Sequence, residues 1–132
     1  MALAGSYLVD SAFLAEVNGR SDSNTVWTII EGLISDGKMF VLTETMKELR
    51  AVDSIAAKRL NPHSHFKLTA NDYDYNEAFS YAGEFLENNE ELVARLSVRD
   101  QQNKAMMIGV CWAEKMLLVS GERFRKGMLP KL

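Results

Sequence analysis

Cysteine is almost missing from this chain, which carries only Cys111 in 132 residues. No internal disulfide can form, so the natural setting is a reducing compartment. Prolines number two, and no tract is biased in composition, which argues against disordered, fibrous and repetitive classes. Long apolar runs are lacking too. No stretch approaches the roughly 20 residues needed to cross a bilayer. The opening run reaches Asp10 before the apolar core of a signal peptide could be completed. The expectation is a cytoplasmic protein. There is no excess of basic charge: the net charge is −3, so bulk electrostatics do not advertise nucleic acid. The glycine-rich dinucleotide fingerprint, the P-loop and the Gly-x-Ser-x-Gly elbow are all absent, which disfavours the common nucleotide enzymes and hydrolases. His63 and His65 lie in a polar stretch without a neighbouring cysteine and read as solvated rather than as zinc ligands.

What remains is ordinary globular composition, 47% hydrophobic and 25% charged, at a length suited to one domain with one core, residues 1–132. Charge is placed unevenly. Residues 123–131 hold four cations and no anion, whereas Asp72 to Glu91 is strongly acidic. A basic tail beside an acidic pocket suits a metal-dependent nuclease, and a solvated C-terminus accounts for it equally well.

Hydrophobic periodicity outlines the elements. Tyr7-Leu8-Val9 reads as a buried strand ending at Asp10, followed by a helical face of Phe13, Leu14 and Val17. Val26, Trp27, Ile29, Ile30, Leu33 and Ile34 form a second helix that Gly37 stops. Met39 to Leu42 is the second strand. Thr43 is a suitable N-cap for one continuous helix carrying Met46, Leu49, Val52, Ile55, Ala56 and Leu60 inward until Asn61-Pro62. A connection follows, with a short extended piece at residues 66–68. Residues 74–87 read as a helix with Ala78, Phe79, Ala82, Phe85 and Leu86 inward, then a turn or two runs over 90–96. A long helix from about Arg99 to Lys115 has Ala105, Met106, Ile108, Gly109 and Trp112 on its apolar side. Met116 to Val119 is the last strand. Near-continuous apolar strands alternating with helices predict an α/β fold: a mainly parallel central sheet covered on both faces, a three-layer α/β/α sandwich. In such sheets ligands bind beyond the carboxyl ends of the strands.

Carboxylates recur at that edge. Asp10 follows the first strand directly, although a helix-capping role explains it too. Glu48, with Glu44 one turn before it, sits in the helix after the second strand, where a solvated acid paired with Lys47 or Arg50 is the simpler alternative. Asp100 opens the long helix, a place where an acid complements the helix dipole. Glu122 follows the last strand. Three or four such groups converging would hold a hard divalent cation through oxygen and position water for attack on a phosphodiester. Cys111, mid-helix beside Trp112, reads as a buried inert thiol.

These pieces resemble the PIN domain family, which includes small toxin ribonucleases of the VapC type. Tyr-Leu-Val-Asp10-Ser-Ala is similar to the family's opening strand and first acid. Phe-Val-Leu-Thr-Glu-Thr-Met-Lys-Glu48-Leu is similar to its second strand and following helix. Leu-Leu-Val-Ser120-Gly-Glu122-Arg-Phe124 is similar to its last strand, a hydroxyl residue, an acid and an aromatic. The resemblance spans nearly the whole chain through short motifs. It implies a PIN-like fold and a ribonuclease that cleaves single-stranded RNA with Mg²⁺ or Mn²⁺. Asp10, Glu48, Asp100 and Glu122 would be both catalytic and metal ligands, and Ser120 and Arg123 would position substrate. It further implies a homodimer and, for a toxin, an antitoxin protein as partner. The pattern is departed from at three places. Ala12 stands where the family has a small polar residue, Glu122 replaces an Asp, and the family's spacing puts Lys104 where its third acid belongs, a turn beyond Asp100. A lysine there favours the alternative, a catalytically inactive PIN-like binding or regulatory module.

Overall fold

Three short apolar strands pair side by side: β1 (Tyr7–Val9), flanked by β2 (Met39–Leu42) and β4 (Leu117–Val119). In the computed structural model, which describes residues 3–63 and 65–121, they join β3 (Lys67–Leu68) in one four-stranded sheet of order β3-β2-β1-β4. Every pairing is parallel, with Leu8 opposite Phe40 and Leu118, and Leu42 opposite Leu68.

Parallel neighbours need crossovers, and here helices supply all of them. Helices α1 (Ser11–Asn18) and α2 (Ser23–Ser35) link β1 to β2, and α3 (Thr43–Val52) and α4 (Ser54–Leu60) link β2 to β3. Helices α5 (Tyr75–Asn88), α6 (Glu90–Val93) and α7 (Val98–Glu114) then carry the chain back across the sheet to β4. Because crossovers share one hand, reversing direction along the sheet sends the later helices to the opposite face. The packing follows that rule. Val9, Met39 and Val41 pack with Leu14, Trp27, Met46 and Leu60 on one face. On the other, Leu8, Phe40 and Leu42 pack with Ala78, Met107 and Val110. All four residues of β2 are buried, so that strand is covered above and below. The expected α/β architecture with helices on both faces is present.

Four expectations need correction. The helix read as continuous from Thr43 to Leu60 is broken at Asp53, where φ is −151° and the carboxylate accepts a hydrogen bond from the Ala56 N–H at 3.1 Å. That cap restarts the helix in a new phase, so Val52 and Ile55 point to solvent, 69% and 72% exposed, while Ala56, Ala57 and Leu60 stay buried. Thr43 is the first helical residue of α3 and not its cap. Phe79, expected inward, is 61% exposed, because α5 packs on α7 through the small residues Ala78 and Ala82. A Cβ on Gly109 would lie 2.1 Å from the Ala78 carbonyl oxygen, so the two helices meet backbone to backbone. The apolar side of α7 is also rotated from the expected one, burying Met107 and Val110 rather than Met106 and Trp112. β4 differs from the other strands: Leu117 and Leu118 are exposed, as suits a strand with one pairing neighbour among the described residues. No helix among the described residues is long and apolar enough to cross a membrane.

Candidate active site

The strand order reverses between β1 and β4, since the chain moves from β1 toward β2 in one direction and returns to β4 on the other side. A crevice opens at the carboxyl ends of strands where such a switch occurs. Asp10 stands there. It is 7% exposed, and its backbone N–H continues the ladder by donating to the Val119 carbonyl at 3.1 Å. One carboxylate oxygen, Oδ1, accepts from the Phe13 N–H at 2.8 Å, capping α1, and from the Gly121 N–H at 3.1 Å. The other, Oδ2, accepts from the Ser120 hydroxyl. Asp10 thus caps a helix and also lines the crevice. Gly121 is required for this. A Cβ at that position would lie 2.6 Å from the Phe13 nitrogen, so only glycine lets the exit of β4 approach the first turn of α1.

The crevice is a cleft of about 350 Å³ with walls from α1, α3 and α7. Asp10, Glu48 and Asp100 line it together with Lys47, Arg99 and Lys104; Val52, Leu96 and Met107 add apolar surface. Glu48 is half-buried. Its Oε2 accepts from the Ser11 hydroxyl at 3.4 Å and its Oε1 from the Asn103 side-chain amide at 3.3 Å. Burial, and then the negative charge of Asp100, push the Glu48 carboxyl above its usual range, opposed by the Ser11 and Asn103 hydrogen bonds and by the Lys104 ammonium. A carboxylate perturbed by both burial and a like charge, inside a cleft, is the kind of group that catalytic sites contain. Asp100 itself is exposed, near the start of α7, where the Ser97 hydroxyl accepts its N–H at 3.1 Å.

A second, smaller cavity of about 70 Å³ adjoins the first. Asp10, Lys104 and Met107 line both, so these three side chains form a common wall. Beyond it the lining is apolar, from Phe85, Ile108 and Leu118, with Ser120 at the edge.

Of the residues singled out from sequence, Asp10, Glu48 and Asp100 share the cleft, whereas Glu122 and Arg123 lie outside the described residues. Glu44 does not line the cleft; it is paired with Lys47 at 3.1 Å on the surface. Among the described residues no three His, Cys, Asp or Glu side chains form a group arranged to hold a metal ion. His63 instead bonds Glu31 at 3.1 Å beside Arg59. Cys111 is buried, which pushes its thiol up to about 12, an unreactive value at neutral pH.

Ser11 and Asn103 were not legible as site residues. Asn103 carries a usable signal, since a mid-helix Asn is disfavoured unless its amide has work on a neighbouring group. Asp10 and Glu48 are hard oxygen donors, the ligand class that Mg²⁺ and Mn²⁺ take. No protein-family model, curated protein or solved structure matches this chain.

Proposed function

We propose that this chain is a PIN-type endoribonuclease that hydrolyses single-stranded RNA in the cleft at the β1/β4 switch point. The observation that carries the reading is the meeting of Asp10 and Glu48, from distant stretches of chain, in one cleft at the strands' carboxyl ends. Ser11, adjacent to the first acid, donates to the second and ties their positions together. Asp10 and Glu48 would hold a divalent cation, with Asp100 at the mouth and Glu122 following β4. Such an ion activates water and offsets charge on a phosphodiester. Ser120 orients the Asp10 carboxylate through its hydroxyl. By the same resemblance the chain would act as a homodimer and as a toxin restrained by an antitoxin protein.

A second reading has its own support. Lys104 lies in the cleft and its charge acts on Glu48, where the family pattern calls for a third acid. That arrangement favours an inactive PIN-like binding or regulatory module. The test is cleavage of a fluorescently labelled single-stranded RNA with Mg²⁺ or Mn²⁺, with Asp10→Asn as control. Metal-dependent cleavage lost in the variant is the expected outcome. Absence of cleavage and of any metal-induced rise in melting temperature, from well-folded protein, leaves the binding module instead.

A further inference from the structure

The cleft carries as many cationic as anionic side chains among its described lining residues, and they are not equivalent in place. Lys47 is exposed and held by Glu44 at 3.1 Å, and Arg99 is exposed at the mouth. Lys104 is half-buried and belongs to the wall common to the polar cleft and the smaller apolar cavity, beside Asp10. It is thus the innermost cation of the site. An anion entering a cleft that contains Asp10, Glu48 and Asp100 is repelled unless positive charge lies at the depth it must reach. Lys104 supplies that charge as part of the fold. An ammonium has three N–H donors, so engagement with one carboxylate leaves donors for a phosphate oxygen. Position strengthens the case: Asp100 precedes Lys104 by four residues, on the same side of α7, and both line the cleft. The apolar surface of Met107, Ile108 and Leu118 beside it would receive the less polar part of a nucleotide.

We infer that Lys104 is a phosphate-binding residue, and that the cleft binds a phosphate of single-stranded nucleic acid without any divalent metal. The inference deepens the nuclease reading and rests on it for the identity of the ligand. The same phosphate chemistry could come from an internal phosphodiester or from a terminal monoester, and the measurement separates them.

The experiment uses the full chain in EDTA and follows fluorescence anisotropy of decauridylate, with a 5′-hydroxyl or a 5′-phosphate, across a salt series. Lys104→Met is expected to weaken binding at least tenfold. One lost phosphate contact should also make the salt dependence shallower, by about 0.7 in log K against log salt. Lys104→Arg retains binding, and the exposed Lys58→Met on α4 leaves it unchanged. If Lys104→Met fails to fold, Lys104→Gln is read in its place. Equal affinity for the two oligonucleotides identifies the internal phosphodiester, and preference for the phosphorylated one the terminal group. Parent protein that binds neither in EDTA, or a Lys104→Met variant with unchanged affinity and slope, overturns the proposal. Binding that depends on Lys104 without cleavage in Mn²⁺ sinks the nuclease reading alone. Cleavage with binding indifferent to Lys104 sinks only this one.

Discussion

The side-chain amide of Asn103 on α7 reaches the carboxylate of Glu48 on α3 at 3.3 Å, across the cleft from the Ser11 hydroxyl at 3.4 Å. Glu48 is therefore gripped from two walls, and each grip favours its charged form. Burial and Asp100 favour the neutral form and prevail, leaving the carboxyl raised. The site holds an acid whose ionisation costs the folded state something.

That cost has a definite sign. A carboxyl raised on folding binds more protons in the native than in the unfolded chain between its two values, so stability falls as pH rises through that window. Glu48→Gln removes the loss. The variant should melt above the parent at pH about 7–8, and the advantage should vanish below pH about 4, where Glu48 is protonated in both states. Melting curves across pH decide this. A variant that melts lower at pH about 8 contradicts the assignment of Glu48 as a desolvated acid raised on folding.

Asp100 should act on Glu48 at a distance. Removing its charge with Asp100→Asn brings the Glu48 carboxyl down toward its usual range, and removing the opposing hydrogen bond with Asn103→Leu moves it further up. Titration of the Glu48 side-chain carbon signal by NMR reads both shifts directly. Equal titration in all three proteins would show that neither neighbour governs Glu48.

The fold class was legible because β1, β2 and β4 are bare apolar runs separated by helical periodicity, and the acid at the end of β1 stood in plain view. Less legible was the phase of the helices. The Asp53-Ser54 pair is a helix-start signature lying inside a longer apolar period that runs through it unbroken. Phe79 misled because a large apolar residue on α5 outranks Ala78 in any hydrophobicity pattern, yet close helix approach at Gly109 needs the small residue inside. For the site, spacing placed Asp10, Glu48 and Asp100 on one rim of the sheet. It could not foresee Ser11, whose importance arises only when α1 and α3 converge, and for Asn103 it offered only the signal of a polar amide in mid-helix.

Two glycines should tolerate no side chain. Gly121→Ala drives a methyl group against the backbone of Ala12 and Phe13, and Gly109→Ala drives one against the Ala78 carbonyl. Neither neighbour is a flexible side-chain end, so relief requires moving whole elements, at about 1–3 kcal/mol or more for each substitution. Chemical denaturation measures the loss. Only Gly121→Ala should also disturb the site, since it displaces an N–H that holds Asp10 at 3.1 Å. On the proposed nuclease reading, cleavage per folded molecule should therefore fall in that variant and persist in Gly109→Ala.

A polar chain outside the cleft lining sets the last expectation. The Trp27 indole N–H donates to the Asn18 side-chain carbonyl at 2.8 Å, and the Asn18 amide donates to Asp53 at 3.1 Å. Asp53 in turn caps α4. One side chain at the end of α1 thus fixes α2 and the start of α4, and it satisfies an indole that is 1% exposed. Asn18→Leu strands that N–H without a partner, costing about 1–3 kcal/mol, and melting should drop by about 3–5 °C for each kcal/mol lost. Trp27→Phe removes the stranded donor, so a double-mutant cycle should show the two substitutions costing less together than their separate effects combined. Strict additivity would mean that the Asn18–Trp27 hydrogen bond contributes nothing, and that Asn18 acts on stability through Asp53 alone.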